Sequence, residues 1–166
     1  MGYSTTFKGK FKLSKPLTKE QIEYLKIFSS VQHPQRHTNL CRDIYDPIRE
    51  AAGIELDAEG YNCLFGYNND DPTIKFPLIN RNDFCNWISN DVGTHIIWNE
   101  NCKFKGPEYF KWISHISLNI LNQWNITIKG TVYYKGEERG DSGKLVAEKN
   151  TIILYPRGGP PEYFIF

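Results

Sequence analysis

The sequence predicts an α+β domain: one largely antiparallel β-sheet with two helices packed on one face. Three observations predict it. Segments 7–13 and 126–134 alternate apolar and polar residues, the period of a strand with one face buried and the other in water. Segments 18–31 and 108–124 carry apolar residues at three- and four-residue spacing, the period of an amphipathic helix. Trp87-Ile88 and Ile96-Ile97-Trp98 flank the turn-forming run Asn90-Asp91-Val92-Gly93, the pattern of a β-hairpin.

The composition agrees. The chain has 166 residues, a formal net charge of +1, 40% hydrophobic and 23% charged residues. That suits a single domain spanning 1–166 and excludes a disordered chain. No apolar run is long enough for a membrane span, and the first residues lack the apolar core of a signal peptide. A net charge near zero disfavours a general nucleic-acid coat or a strong membrane-surface binder. The four cysteines, Cys41, Cys63, Cys85 and Cys102, are widely spaced with no Cys-x-x-Cys pair. Free thiols in a reducing cytoplasm are therefore expected, with no metal site and no cofactor.

In chain order, Phe7, Phe11 and Leu13 of the first strand share one side, with Lys8, Lys10 and Lys12 on the other. Gly9 falls in the apolar register, which predicts a ring or helix close over the backbone. Thr18 and Gln21 then form a capping box, and Leu17 and Ile22 a hydrophobic staple, at the start of the first helix. Its buried stripe is Ile22, Leu25, Phe28 and Val31.

Residues 32–83 read as a long irregular insertion after that helix. Within it, Asp46 caps a short helix with Pro47 at its first position, and Gly53 ends it. The hairpin follows, and then a second long helix. Its apolar face is Tyr109, Ile113, Ile116, Ile120 and Trp124. Ile126, Ile128, Gly130, Val132 and Tyr134 share one face of the next strand. One extra C-terminal strand is expected over 145–154, bulged near Glu148-Lys149-Asn150. The tail, 156–166, is interrupted by Pro160-Pro161. The order strand-helix-strand-strand-helix-strand is the ferredoxin-like split βαβ order, with the extra strand pairing against the fourth.

Four places could carry function. The first is the outer sheet face, where Lys8, Lys10, Lys12, Lys129 and Tyr133 meet if the first and fourth strands pair. Lysines interleaved with rings suit a phosphate-bearing ligand or a single strand of nucleic acid. The paired exposed rings of an RNA-recognition motif are absent. The second is a side stripe of the long helix, Glu108, Trp112, His115 and Asn119, read as a polar pocket edge with His115 as acid–base. The third is the acidic turn Glu137-Glu138-Arg139-Gly140-Asp141. The fourth is the insertion, with Arg36, His37, Arg42 and Tyr67 as recognition residues. Nucleophile-elbow, P-loop, dinucleotide-binding and zinc-protease motifs are all absent from the sequence.

Several stretches together resemble a family of small uncharacterised single-domain proteins of bacteria and bacteriophages. They are Phe11-Lys-Leu-Ser-Lys-Pro-Leu-Thr18, Asp46-Pro-Ile-Arg-Glu-Ala-Ala-Gly53, Cys85-Asn-Trp87, Tyr109-Phe-Lys-Trp-Ile113 and Gly130-Thr-Val-Tyr-Tyr-Lys-Gly-Glu-Glu138. The chain departs from that family at Trp124-Asn125, at 54–83 and beyond Pro156. The family has no established activity, so the resemblance implies only a stand-alone cytoplasmic domain, carried in some cases by phage.

The expected function is a non-catalytic binding protein. It would sequester a small anionic, nucleotide-like ligand or block a host protein, as a phage-borne accessory against host defence. The alternatives are a small hydrolase or transferase using a His–carboxylate pair, with His37, His95 or His115 as base, and a single-stranded nucleic-acid binder. No membrane partner is expected, and a homodimer stays open.

Overall fold

The computed structural model describes residues 3–65, 70–75, 84–100 and 108–163. The first element is strand β1, Thr5–Leu13, which the alternation of phenylalanines and lysines makes half-buried. Helix α1, Lys19–Phe28, starts at the expected capping box: the Gln21 amide donates to the Thr18 hydroxyl, and the Thr18 amide donates to the Gln21 side chain. Helices α2, Thr38–Cys41, and α3, Pro47–Ala51, follow. In α3 the Asp46 carboxylate accepts from the Arg49 amide. Strands β2, Trp87–Ser89, and β3, His95–Trp98, form the hairpin. The Asn90 side chain ties its turn by accepting from the Thr94 and His95 amides.

Helix α4, Glu108–His115, runs on into a π-helical segment, Ile116–Leu121, where a regular α-helix is expected from sequence. The widened turns bring Ile116, Ser117, Ile120 and Leu121 all inward. Strands β4, Ile128–Gly136, β5, Ser142–Glu148, β6, Thr151–Pro156, and β7, Glu162–Tyr163, complete the chain.

Among the described residues, seven strands lie in one antiparallel sheet in the order β2-β3-β1-β4-β5-β6-β7. The single extra strand is therefore corrected to three. What reads as a bulge is a two-residue hairpin turn: Lys149 and Asn150 both have positive φ, +47° and +69°, the geometry that matches strand twist. Asn150 is buried and pins this turn to the body. Its side chain accepts from the Ile128 amide and donates to the Ile126 carbonyl, and its own carbonyl accepts from Ser117. Beyond Pro160-Pro161 the tail rejoins the sheet, where Glu162-Tyr163 pairs with β6 across Ile153 and Leu154.

One face of the sheet carries Phe11, Leu13, Trp87, Ile96, Val132, Leu145 and Leu154 into the core, against Leu25 and Phe28 of α1 and Trp112, Ile113 and Ile116 of the α4–π unit. The insertion joins this core through Ala52, Ile54, Tyr61 and Leu64, so it is packed chain as well as surface loop. Gly9 and Gly130 need positive φ, +121° and +140°. A Cβ on Gly9 would stand 2.5 Å from the Thr131 carbonyl oxygen, and one on Gly130 would stand 2.8 Å from that of Lys10. The close neighbour of Gly9 is thus the adjacent strand's backbone, not a ring or a helix. Among the described residues no helix is long and apolar enough to cross a membrane.

Candidate functional site

The strand register decides what faces outward. Pairing of β1 with β4 sets Lys8 opposite Tyr133, Lys10 opposite Thr131 and Lys12 opposite Lys129. The β4–β5 and β5–β6 pairings set Tyr133 opposite Lys144 and Lys144 opposite Tyr155. One row across four strands therefore reads Lys8, Tyr133, Lys144, Tyr155. Lys135 lies two residues beyond Tyr133 on the same side, and His95 stands opposite Lys12 at the other flank. Partial desolvation, and then the charges of Lys10 and Lys12, lower the His95 pKa.

Six lysines share this face: Lys8, Lys10, Lys12, Lys129, Lys135 and Lys144. The strands place one carboxylate among them, Glu148, opposite Lys129. None of the six makes an ion pair among the described residues. Tyr133, at their centre, is 58% exposed. Lys144 Nζ lies 5.3 Å from the centre of the Tyr155 ring. The face is a positively charged platform with the exposed Tyr133 ring at its centre, and its lysines are free to meet an anion.

Other residues singled out from sequence lie elsewhere. Arg36 is 2% exposed. Its guanidinium donates to Asp71 at 2.8 Å, to Thr73 at 2.6 Å and to the Phe65 carbonyl, and it lies over the Phe65 ring. The expectation that Arg36 meets a ligand is corrected: its charge is spent holding the insertion together. His37 is exposed and precedes α2, and its side chain makes no cap bond. Arg42 lies beside an open cleft of about 470 Å³ that also holds Arg49, Glu55 and Asp57, two cations against two carboxylates. Tyr67 lies outside the described residues.

Trp112 and His115 are fully buried, at 0% and 1%, so the expected pocket edge is corrected to core. Burial, then the positive charge of the nearby His33 and Lys111, lowers the His115 pKa to about 3. The neutral ring fits its partners: Nε2 donates to the Asn62 side-chain oxygen at 2.9 Å, and Nδ1 accepts from Asn119 at 3.2 Å. Both nitrogens are occupied by amides, which removes this ring from the role of an acid–base group reaching a substrate. His33 stacks on Phe28 beside it, with the Phe28 and Tyr61 carbonyl oxygens 2.6 and 2.8 Å from its two nitrogens. Two such acceptors favour an imidazolium, but burial outweighs them and lowers the His33 pKa to about 4. At neutral pH the ring has one N–H, which donates to one of these carbonyls while the other nitrogen faces the second carbonyl without a proton.

The acidic turn is likewise occupied. Asp141 accepts from the Tyr3 hydroxyl, and Glu137 accepts from the Ser4 amide and hydroxyl. No cluster of three potential metal ligands occurs among the described residues. Cys41, Cys63 and Cys85 are buried free thiols; burial pushes the Cys63 thiol well above its ordinary pKa.

Reading the sequence missed Lys135, Lys144 and Tyr155, and named His95 only as a base, not as a neighbour of the lysine face. Lys135 continues the alternation of Lys129, Thr131 and Tyr133, and was hidden by reading the strand as ending at Tyr134. Lys144 and Tyr155 need the hairpin at Lys149-Asn150 to be recognised first. No protein-family model, curated protein or solved structure matches this chain.

Proposed function

We propose that this protein is a non-catalytic binder of a phosphate-bearing, nucleotide-like anion, which it holds on the open sheet face. The observation that carries the reading is six outward lysines that form no ion pair among the described residues, in a chain whose total charge is only +1. Desolvating that charge is favourable only against a ligand of opposite sign. The Arg42 cleft is a weaker place for an anion, because Glu55 and Asp57 line it too.

The sheet order β2-β3-β1-β4, with α1 and α4 between strands, supports reading the first six principal elements as a ferredoxin-like split frame extended by β5, β6 and β7. A phage-borne role against host defence rests on the family resemblance alone and belongs to the same proposal.

The test is calorimetric titration with sodium polyphosphate, comparing the unaltered chain with a variant carrying Lys8→Gln, Lys10→Gln, Lys129→Gln and Lys144→Gln. Binding by the former and its loss in the latter supports the reading. Equal heats in both would place the anion elsewhere and sink it.

A further inference from the structure

Resting on that anion-binding reading, we propose that the ligand of the sheet face is single-stranded nucleic acid, laid across the strands with a base stacked on Tyr133. The argument starts from the surroundings of this ring. Lys8 and Lys144 stand opposite it on the two neighbouring strands, Lys10 is diagonal to it, and Lys135 is two residues along its own strand. Such positions lie about 5–8 Å from one another between Cβ atoms, within reach of a lysine stem. An exposed π-face encircled by four cations offers stacking at its centre and phosphate contacts around it, the two elements of single-strand platforms.

The spread of the lysines favours a strand over the other nucleotide forms. Lys8 and Lys144 are two strand spacings apart, about 10 Å, with Tyr133 between them, so phosphates spread along a strand engage the grid more fully than a single phosphate does. A free mononucleotide would use a fraction of the face. A duplex keeps its bases stacked inside and presents no base face to Tyr133, and a broad sheet face does not enter a groove. A flexible strand meets both requirements, spreading its phosphates over the lysine grid while its bases turn toward the rings. The row continues from Tyr133 through Lys144 to Tyr155, and Tyr163 lies beyond, opposite Ile153 and 60% exposed. The aromatic surface thus extends toward β7, and Glu148 borders the lysine grid on one side.

Fluorescence anisotropy with labelled oligothymidylate tests this on the full chain, with its duplex, ATP, sodium polyphosphate and polyglutamate as comparison ligands. The expected result is oligothymidylate binding that weakens with salt at a log–log slope of about −3, the value for four to five phosphate contacts on a single strand. Tyr133→Ala should weaken the oligomer about tenfold and leave polyphosphate unchanged, and Tyr133→Phe should restore it, because stacking needs the ring and not the hydroxyl. Circular dichroism checks that both variants are folded. If polyphosphate binds but Tyr133→Ala leaves the oligomer unaffected, the anion-binding reading stands and the nucleic-acid proposal falls. If neither ligand binds, both fall. Duplex binding as tight as that of the single strand overturns the proposal, as does Tyr133-dependent binding of polyglutamate in place of the oligomer, which would make the partner an acidic protein.

Discussion

Two regions of this molecule hold nearly all the polar residues that a search for function would pick out, and they differ in one respect. In the knot between α1, the insertion and α4, the polar groups Arg36, His33, Asn62 and His115 have partners within hydrogen-bond distance. On the open sheet face, six lysines form no ion pair among the described residues. Buried polar groups must be satisfied within the fold, since an unsatisfied one costs about 1–3 kcal/mol. The knot therefore consumes its chemistry to hold the insertion against the helices. The face keeps its chemistry available because water has been its partner. The comparison teaches that a histidine with a strongly shifted pKa can be a sign of structure, and a row of outward lysines with no ion pair among the described residues the better sign of binding.

The difference can be broken most strongly with acid. His33 and His115 have folded pKa values of about 4 and about 3, below the unperturbed 6.5. The folded state disfavours the proton, so their contribution is fully present above pH 6.5 and is lost as the pH falls toward 4. Together the limiting loss is about 3 kcal/mol per pH unit. Thermal denaturation from pH 7.5 to pH 4 should show this fall, with a slope roughly halved in His115→Gln. A Tm flat across that range would mean that the knot is open to water.

Next in size is Arg36→Met, which leaves Asp71 without its cation and Thr73 and the Phe65 carbonyl without their donor. Breaking a buried pair from one side costs roughly 3–5 kcal/mol, and Asp71 is only 16% exposed, so urea denaturation should report a loss near the lower end. A loss under about 1 kcal/mol would place this ion pair with ordinary surface pairs. Gly9→Ala should cost about 1–3 kcal/mol, because φ of +121° and the Thr131 carbonyl both exclude a Cβ. The same substitution at Gly53, which has nothing within 4 Å, meets only the backbone term and serves as its control.

Smallest is the effect on stability of the face. Lys10→Gln and Lys144→Gln should each stay within about 0.5 kcal/mol of the unaltered chain, in the same urea assay. Large losses there would show that the lysine stems pack structurally, and the contrast between the two regions would narrow.

Local signals were legible where one short stretch contains both the cause and the effect. The Thr18–Gln21 capping box, the Asp46 cap and the Asn90–Gly93 turn are of this kind, and so is the outward alternation of Lys8, Lys10 and Lys12. Trp112 and His115 were misjudged for the opposite reason. Helical spacing places them beside the apolar stripe, but whether that side meets water depends on what covers it. Here Tyr61 and Asn62, from more than fifty positions earlier, close over it.

The hairpin at Lys149-Asn150 escaped because it contains no glycine. Two non-glycine residues with positive φ are held there by Asn150's bonds to Ile126, Ile128 and Ser117, none of which lies nearby in sequence.

By itself the sequence determined the period and the buried face of β1, α1 and β4, and the capping of α1 and α3, because those follow from side-chain alternation and capping within a few residues. It also determined that lysines line one side of β1. Only the tertiary structure decided which of the polar residues would be spent in the core and which left in water. That choice depends on cross-strand register and on the insertion folding over α4, contacts whose energy exists only once distant parts of the chain have met.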